Sequence, residues 1–301
     1  MGQAEANPSP ASARVCIVAA AVLWSIGAAY AKVLREDTAL GLNVPLLDPL
    51  QIASLRVLCA GIVLLPLLRR RDFSFRPMML VAAVCFALMN VTYITAMSLG
   101  PAANAVLLQY TAPMWMYLVS VLFLGEPADR RAGASVVIGL TGIGIIIFGG
   151  WQGEQLDVVL YALASGVFFA GVLIALRLLH DASSRLVTTI NLLFSGLVLL
   201  PLIWSKAPPS AAQVGVLFFY GGMQMALPYW LMARGLRSVS PQEAGTLTLL
   251  EPLLAPFWAY LVSPNTEKPG VYTLVGGLFI LGALAYRYWP RARNVYRVLG
   301  K

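Results

Sequence analysis

The chain has 301 residues, 59% of them hydrophobic and only 11% charged, with a formal net charge of +8. Soluble domains carry about 25% charged residues, so composition excludes an ordinary globular enzyme. The bases sit mostly in short loops between apolar runs, not on one clustered face, which argues against a nucleic-acid partner.

Residues 1–13 are polar, rich in small residues and read as a disordered tail. Ten apolar runs follow, at 14–34, 49–68, 78–98, 101–124, 132–150, 155–178, 186–204, 213–236, 241–262 and 270–289. Each is close to the ~20 residues that cross a hydrocarbon core about 30 Å thick. A basic tail, 291–301, closes the chain. The first run is too long for a signal-peptide core and nine more follow it. Turn chemistry separates the runs, as at Gly100-Pro101, Gly125-Glu126-Pro127 and Pro208-Pro209. The runs are apolar all round, whereas barrel strands alternate, so the fold expected is an all-α integral membrane protein with ten spans.

Basic residues favour the cytoplasmic side of a membrane. With a cytoplasmic N-terminus, sixteen bases lie inside and four outside (Lys32, Arg35, Lys206, Lys268), with Arg56 within a span. Both termini are then expected in the cytoplasm, the inner membrane of a bacterial-type cell being the setting.

An internal repeat organises the spans. Gly61-Ile-Val-Leu-Leu-Pro-Leu67 in span 2 recurs as Gly196-Leu-Val-Leu-Leu-Pro-Leu202 in span 7. Pro101–Pro113 resembles Pro241–Pro252, and Gly133-x5-Gly139 matches Gly270-x5-Gly276. Residues 14–150 thus form one five-span repeat and 151–290 a second. An odd number of spans per repeat makes the second enter the membrane in the opposite sense, an architecture recurrent in secondary transporters.

Charges inside spans are costly and are functional candidates for that reason. Two lie well inside. Glu251, just before Pro252, can bind an ammonium group or exchange a proton; a protonated, purely structural carboxyl is the plain alternative. Arg56, whose repeat counterpart is Asn191, can pair with Glu251 or Asp48, or snorkel to the outer interface; a structural or gating role is favoured, as for Pro113 and Pro252. Asn90, Tyr93, Gln109, Tyr110, Gln224, Tyr229 and Trp230 are expected to line a cavity between spans 3, 4, 8 and 9. Trp24 and Phe169, equivalent under the repeat, add aromatic walls suited to flat or amphipathic solutes. Against this stand interfacial belts and amide-mediated helix packing.

Glycines of spans 5 and 10 read as helix-packing positions, since no strand precedes them and no Gly-Lys-Ser/Thr follows. Cys16, Cys59 and Cys85 lie in spans without paired spacing and read as small buried hydrophobes. The single histidine, His180, reads as a solvated loop residue, and no ligand spacing suits a metal. No enzyme activity and no cofactor are expected.

Leu23-Trp24-Ser25, Leu55-Arg56-Val57, Tyr93-x-x-Ala96-x-x-x-Gly100, Pro113 with Leu124-Gly125-Glu126, and Leu250-Glu251-Pro252 occur in this order and spacing. In these features the chain resembles the drug/metabolite transporter superfamily and, within it, the EamA-type exporters. The resemblance covers roughly residues 14–290. It implies export of amino acids or other small organic metabolites by alternating access through a central cavity, with the bilayer and a small solute as partners and a monomer as a possible state. Two departures stand out. Ser263-Pro-Asn-Thr-Glu267 occupies the place of a second Leu-Gly-Glu, and Gln109-Tyr110-Thr111-Ala112-Pro113 lacks the tryptophan of the family's aromatic amino acid exporters. Aromatic amino acids are therefore not inferred. An exporter of hydrophobic cations, an integral-membrane enzyme and a non-transporting membrane protein remain the alternatives.

Overall fold

The computed structural model of the chain describes residues 8–153 and 156–289. The basic tail 291–301 and residues 1–7 of the expected N-terminal tail lie outside the described residues. From Pro10 onward that tail is helical, because the Ser9 hydroxyl accepts the Ser12 N–H and Pro10 and Ala11 open the first turn.

All regular structure among the described residues is helical. Span 1 is α1 (Pro10–Ser25) and α2 (Gly27–Val33); span 2 is α3 (Pro49–Leu64); span 3 is α4 (Met78–Leu99). Span 4 divides into α5 (Ala102–Gln109) and α6 (Ala112–Leu122), and spans 5, 6 and 7 are α7 (Arg130–Gln152), α8 (Leu156–Leu178) and α9 (Ser184–Ile203). Span 8 is α10 (Ala211–Gly221) and α11 (Leu227–Gly235), joined by a π-helical turn at Gly222–Ala226. Span 9 divides into α12 (Pro241–Thr248) and α13 (Leu250–Val262), and span 10 is α14 (Val271–Tyr288). Nine helical stretches among the described residues are long and apolar enough to cross a membrane; the run of span 8, interrupted by its π-helical turn, is not one of the nine.

Capping fixes where several spans begin. At α3 the Asp48 carboxylate accepts the Leu50 N–H while Gln51 Oε1 accepts the Asp48 N–H. Ser210 and Gln213 form the same reciprocal arrangement at α10. Gly41 and Gly125 take the left-handed backbone, φ 59° and 68°, at the loops that close spans 1 and 4.

The helices pack with a two-fold pattern. Span 1 packs on span 8 through α1 and α11, and span 6 packs on span 3 through α8 and α4. Spans 2 and 7 pair through α3 and α9, spans 5 and 10 through α7 and α14, and spans 4 and 9 through α5 and α13. Each pairing maps onto itself or onto another when the halves are exchanged, as two inverted repeats require. Ile62, Leu122, Phe123, Leu253, Phe257 and Leu278 face outward, as lipid-covered residues do.

Glycines make the closest of these contacts possible. A Cβ added at Gly142 would stand 2.5 Å from the Gly276 carbonyl oxygen, and one at Gly276 would stand 2.6 Å from that of Gly142. Both close approaches involve rigid backbone, so Gly142→Val must separate α7 from α14. The expected result is a fall of about 1–3 kcal/mol in stability, seen as a lower melting temperature in detergent, with Gly144→Val, which meets no heavy atom within 4 Å, unchanged.

Two loop carboxylates brace one end of the bundle. Burial alone would raise the Asp48 carboxyl, but the Leu50 N–H, Lys206 and Arg35 outweigh it and hold the group below its ordinary range. Burial likewise opposes ionisation of Glu36, and hydrogen bonds from Ser263 and Thr266 together with Lys32 overcome it. A carboxylate with a depressed pKa stabilises the fold fully above its unfolded value, about 3.9 for Asp and 4.3 for Glu, and loses that contribution as pH falls through the folded one. Thermal melting should therefore be unaffected by these two groups between about pH 8 and pH 5 and should fall only in stronger acid.

Candidate substrate pathway

Spans 4 and 9 break at equivalent points near mid-span. In span 4, Tyr110 caps α5 and Thr111 precedes α6, with Pro113 near its start. In span 9, Leu249 separates α12 from α13, and Glu251 and Pro252 lie in the first turn of α13. A proline has no N–H to give and its ring clashes with the preceding turn, so both sequences part at the same register. The breaks meet: the Tyr110 hydroxyl donates to Glu251 Oε2 at 2.7 Å and also lies 2.9 Å from the Thr248 carbonyl oxygen. Glu251 is buried and sits at the positive end of α13, where a helix N-terminus favours an anion.

Arg56 occupies a second buried position, 1% exposed. It does not pair with Glu251 or Asp48 and does not snorkel. Asp48 binds Lys206 at 3.0 Å instead. The Arg56 guanidinium donates to Gln224 Oε1 at 2.9 Å and to Asn90 Oδ1 at 2.7 Å, and lies 5.0 Å from the centre of the Tyr220 ring. Amides and a ring face satisfy the guanidinium where the sequence suggested a carboxylate or the interface. Its Nε remains buried without a hydrogen-bond partner. Gln224 reaches Arg56 because it projects from the π-helical turn, and its amide nitrogen lies 3.4 Å from the Trp24 carbonyl oxygen.

The remaining expected residues take different places. Asn90 is committed to the protein: besides accepting from Arg56, its amide donates to the Ala53 carbonyl and the Ser195 hydroxyl. Tyr93 is buried on α4, and Tyr229 is half-buried on α11. Trp24 meets Tyr229 edge to face with ring centres 5.6 Å apart, and Phe169 packs into the same apolar cluster as Tyr229. Gln109 is buried as the last residue of α5, and Asn191 is buried on α9 with its Oδ1 unpartnered. Trp230 is 43% exposed and carries the Arg234 guanidinium 5.5 Å from its ring centre.

An open cleft reaches Tyr229 and Trp230 between spans 2, 7 and 8, with Ser184, Arg185, Thr188 and Arg234 on its walls. Of the four spans expected to enclose the cavity, only span 8 lines this cleft. The buried polar axis does draw on spans 3, 4, 8 and 9, but also on spans 1 and 2.

A buried acceptor and a buried cation were not found from the sequence. Lys32 and Glu267 were assigned to outer loops, yet both are buried and form an ion pair at 2.5 Å. Lys32 lies inside the helical span, at the end of α2, and Glu267 is turned inward by the extra residues Ser263-Pro-Asn. The signal that could have found them is the alignment of Lys32 with Arg177 and of Glu267 with Glu126 under the repeat.

Known proteins agree with this architecture. The family model described as the EamA-like transporter family matches residues 12–148 and again 157–288, one match per repeat. The uncharacterized transporter YwfM of Bacillus subtilis is 27% identical over 252 residues, covering 78% of this chain and 84% of its own. The pseudopaline exporter CntI of Pseudomonas aeruginosa is 28% identical over 213 residues, 69% of this chain and 73% of its own. A probable biotin transporter of Pseudomonas aeruginosa is 29% identical over 214 residues, 67% of this chain and 73% of its own. A solved protein crystal structure superposes with a TM-score of 0.63 over 93% of this chain and 98% of that one at 19% identity, which shows the fold alone. With both repeats matched and an apolar helical bundle long enough to cross a membrane in place, the chain belongs to the EamA-like transporter family and is a membrane transporter.

Proposed function

We propose that this transporter exports small zwitterionic metabolites, amino acids or close relatives, by alternating access through the polar axis between Arg56 and Glu251. The observation that carries this reading is the pair of buried, opposite charges that are not bonded to each other. Arg56 is held by neutral amides and Glu251 by a phenol, so neither has a counter-charge among the described residues and each is open to a charged group of a solute. A carboxylate would be met by Arg56 and an ammonium group by Glu251. A hydrophobic cation would use Glu251 and leave the buried guanidinium without a counter-charge. A relative at 28% identity named as an exporter supports the direction.

Discontinuous helices at mid-membrane are the usual place for substrate in inverted-repeat transporters, because their broken backbone presents dipole ends and free polar groups. The sixteen-to-four distribution of bases supports an orientation with both termini in the cytoplasm and the inner membrane as the location. The test is counterflow in proteoliposomes with a panel of radiolabelled amino acids and metabolites, organic cations included. Exchange of one or more zwitterions is expected; exchange of cations alone would replace this reading with drug export, and exchange of nothing would remove both.

A further inference from the structure

The ion pair that buries Lys32 has a counterpart in the other repeat, and the two are in different states. Lys32-Val-Leu-Arg-Glu36 at the end of span 1 aligns with Arg177-Leu-Leu-His-Asp181 at the end of span 6, at the 145-residue offset that relates Trp24 to Phe169. Glu267, after span 9, corresponds to Glu126, after span 4. A base and two acids thus recur with the same signs at opposite ends of the bundle.

At the base-poor end the set is assembled. Lys32 Nζ binds Glu267 at 2.5 Å, Glu36 at 3.0 Å and the Gly100 carbonyl at 3.0 Å. Glu267 accepts the Ala102 N–H, and Glu36 accepts from the Ser263 and Thr266 hydroxyls. These bonds tie together the ends of spans 1, 3, 4 and 9. The Lys32 and Glu267 side chains are 2% and 1% exposed.

At the base-rich end the same set lies apart. Arg177 and Glu126 still pair at 2.7 Å, but the side chains are 56% and 35% exposed. Asp181 does not join them; it pairs with His180 at 3.1 Å and is 75% exposed. Equivalent aromatic positions differ in the same sense: Tyr93 is 6% exposed, whereas Trp230, its counterpart, is 43% exposed and stands in the open cleft. Two chemically matched triads at pseudo-symmetric positions, one sealed and one solvated, are what one frame of a two-state exchange looks like.

We infer that Lys32–Glu36–Glu267 and Arg177–Asp181–Glu126 are the two gates of the transport cycle, closed in alternation. This rests on the alternating-access reading above but not on the substrate. In the opposite state Arg177 takes the buried position between Glu126 and Asp181, and Lys32 is released to water. The two states hold equal numbers of charge pairs, so exchange does not strand a buried ion, which would otherwise be strongly unfavourable.

The test combines distances with flux. Spin labels at Leu40 and Asn265 report the base-poor end, and labels at Ala128 and Ser184 the base-rich end, in lipid nanodiscs. Lys32→Gln removes the cation from the closed gate and is expected to raise the population with a longer base-poor distance and a shorter base-rich one roughly tenfold. Should that variant not fold, Glu36→Gln takes its place with a smaller shift in the same direction. Arg177→Gln changes only a solvated pair in the present state, and exposed pairs contribute little. It should leave the resting distances alone yet slow counterflow roughly tenfold, with Arg177→Lys restoring the rate. Wild-type flux in Arg177→Gln, or wild-type distances in a folded Lys32→Gln or Glu36→Gln, overturns the gates while leaving the transport reading intact. Conversely, the expected distance shifts in a protein that exchanges no zwitterion support the gates and reject the substrate.

Discussion

Glu251→Gln is expected to reduce counterflow of zwitterions by roughly 10- to 100-fold without unfolding the bundle. The amide keeps an oxygen to accept the Tyr110 hydroxyl at the junction of the two broken helices, so the contact between spans 4 and 9 survives. What is lost is the negative charge, and a charge-assisted hydrogen bond contributes about 1.5–3 kcal/mol, each 1.4 kcal/mol being tenfold. Two solutes sharpen the result. An amino acid and its methyl ester both carry the ammonium group, so both should lose flux. If the carboxylate also carries the coupling proton, a pH gradient ceases to drive transport in Glu251→Gln. Gradient-driven flux that survives unchanged rules out this residue as the proton site. Tyr110→Phe, which removes the donor but keeps the charge, should produce a smaller loss of the same kind.

Arg56→Gln should separate the two solutes. The variant abolishes the positive charge that a substrate carboxylate would meet, so flux of the free amino acid falls by roughly 10- to 100-fold while its methyl ester is little affected. Equal loss for acid and ester would sink the assignment of Arg56 to the carboxylate and leave it as a purely structural residue. Some loss of stability accompanies the change, because Asn90 Oδ1 and Gln224 Oε1 accept from two separate guanidinium nitrogens, and the shorter glutamine offers a single NH2 group in their place. A buried acceptor left without a donor costs about 1–3 kcal/mol. A melting curve on the same preparation separates that cost from the effect on flux.

The candidate site was legible in the residues where chemistry and helix breaks coincide. Glu251 stood out because a carboxylate in an apolar run is expensive, and Pro252 beside it announced the break that positions it. Tyr110 was named for its place before Pro113, and the structure brings it to Glu251 across 141 residues of chain. Arg56 was found for the same reason as Glu251, but its partners were not: Gln224 lies in the π-helical turn at Gly222–Ala226 and meets it across 168 residues of chain, and hydropathy carries no trace of such a turn. Asn90 was proposed for a solute and instead spends its hydrogen bonds on Arg56, Ala53 and Ser195.

Lys32 and Glu267 show the limit most plainly. Each reads as a loop charge when counted along the chain, since both stand at the edge of an apolar run. Burial depends on what neighbouring span ends bring to that place: the Gly100 carbonyl, the Ala102 N–H and the hydroxyls around Glu36.

Apolar content, run length and repeat spacing are local or periodic properties, and they were enough to specify ten spans in two inverted halves, since lipid admits few alternatives to all-round apolar helices. The pairing of charges across spans is neither local nor periodic. It depends on the rotation and break of each helix, so the folded bundle alone decided which of two equivalent triads is sealed and which lies open to water.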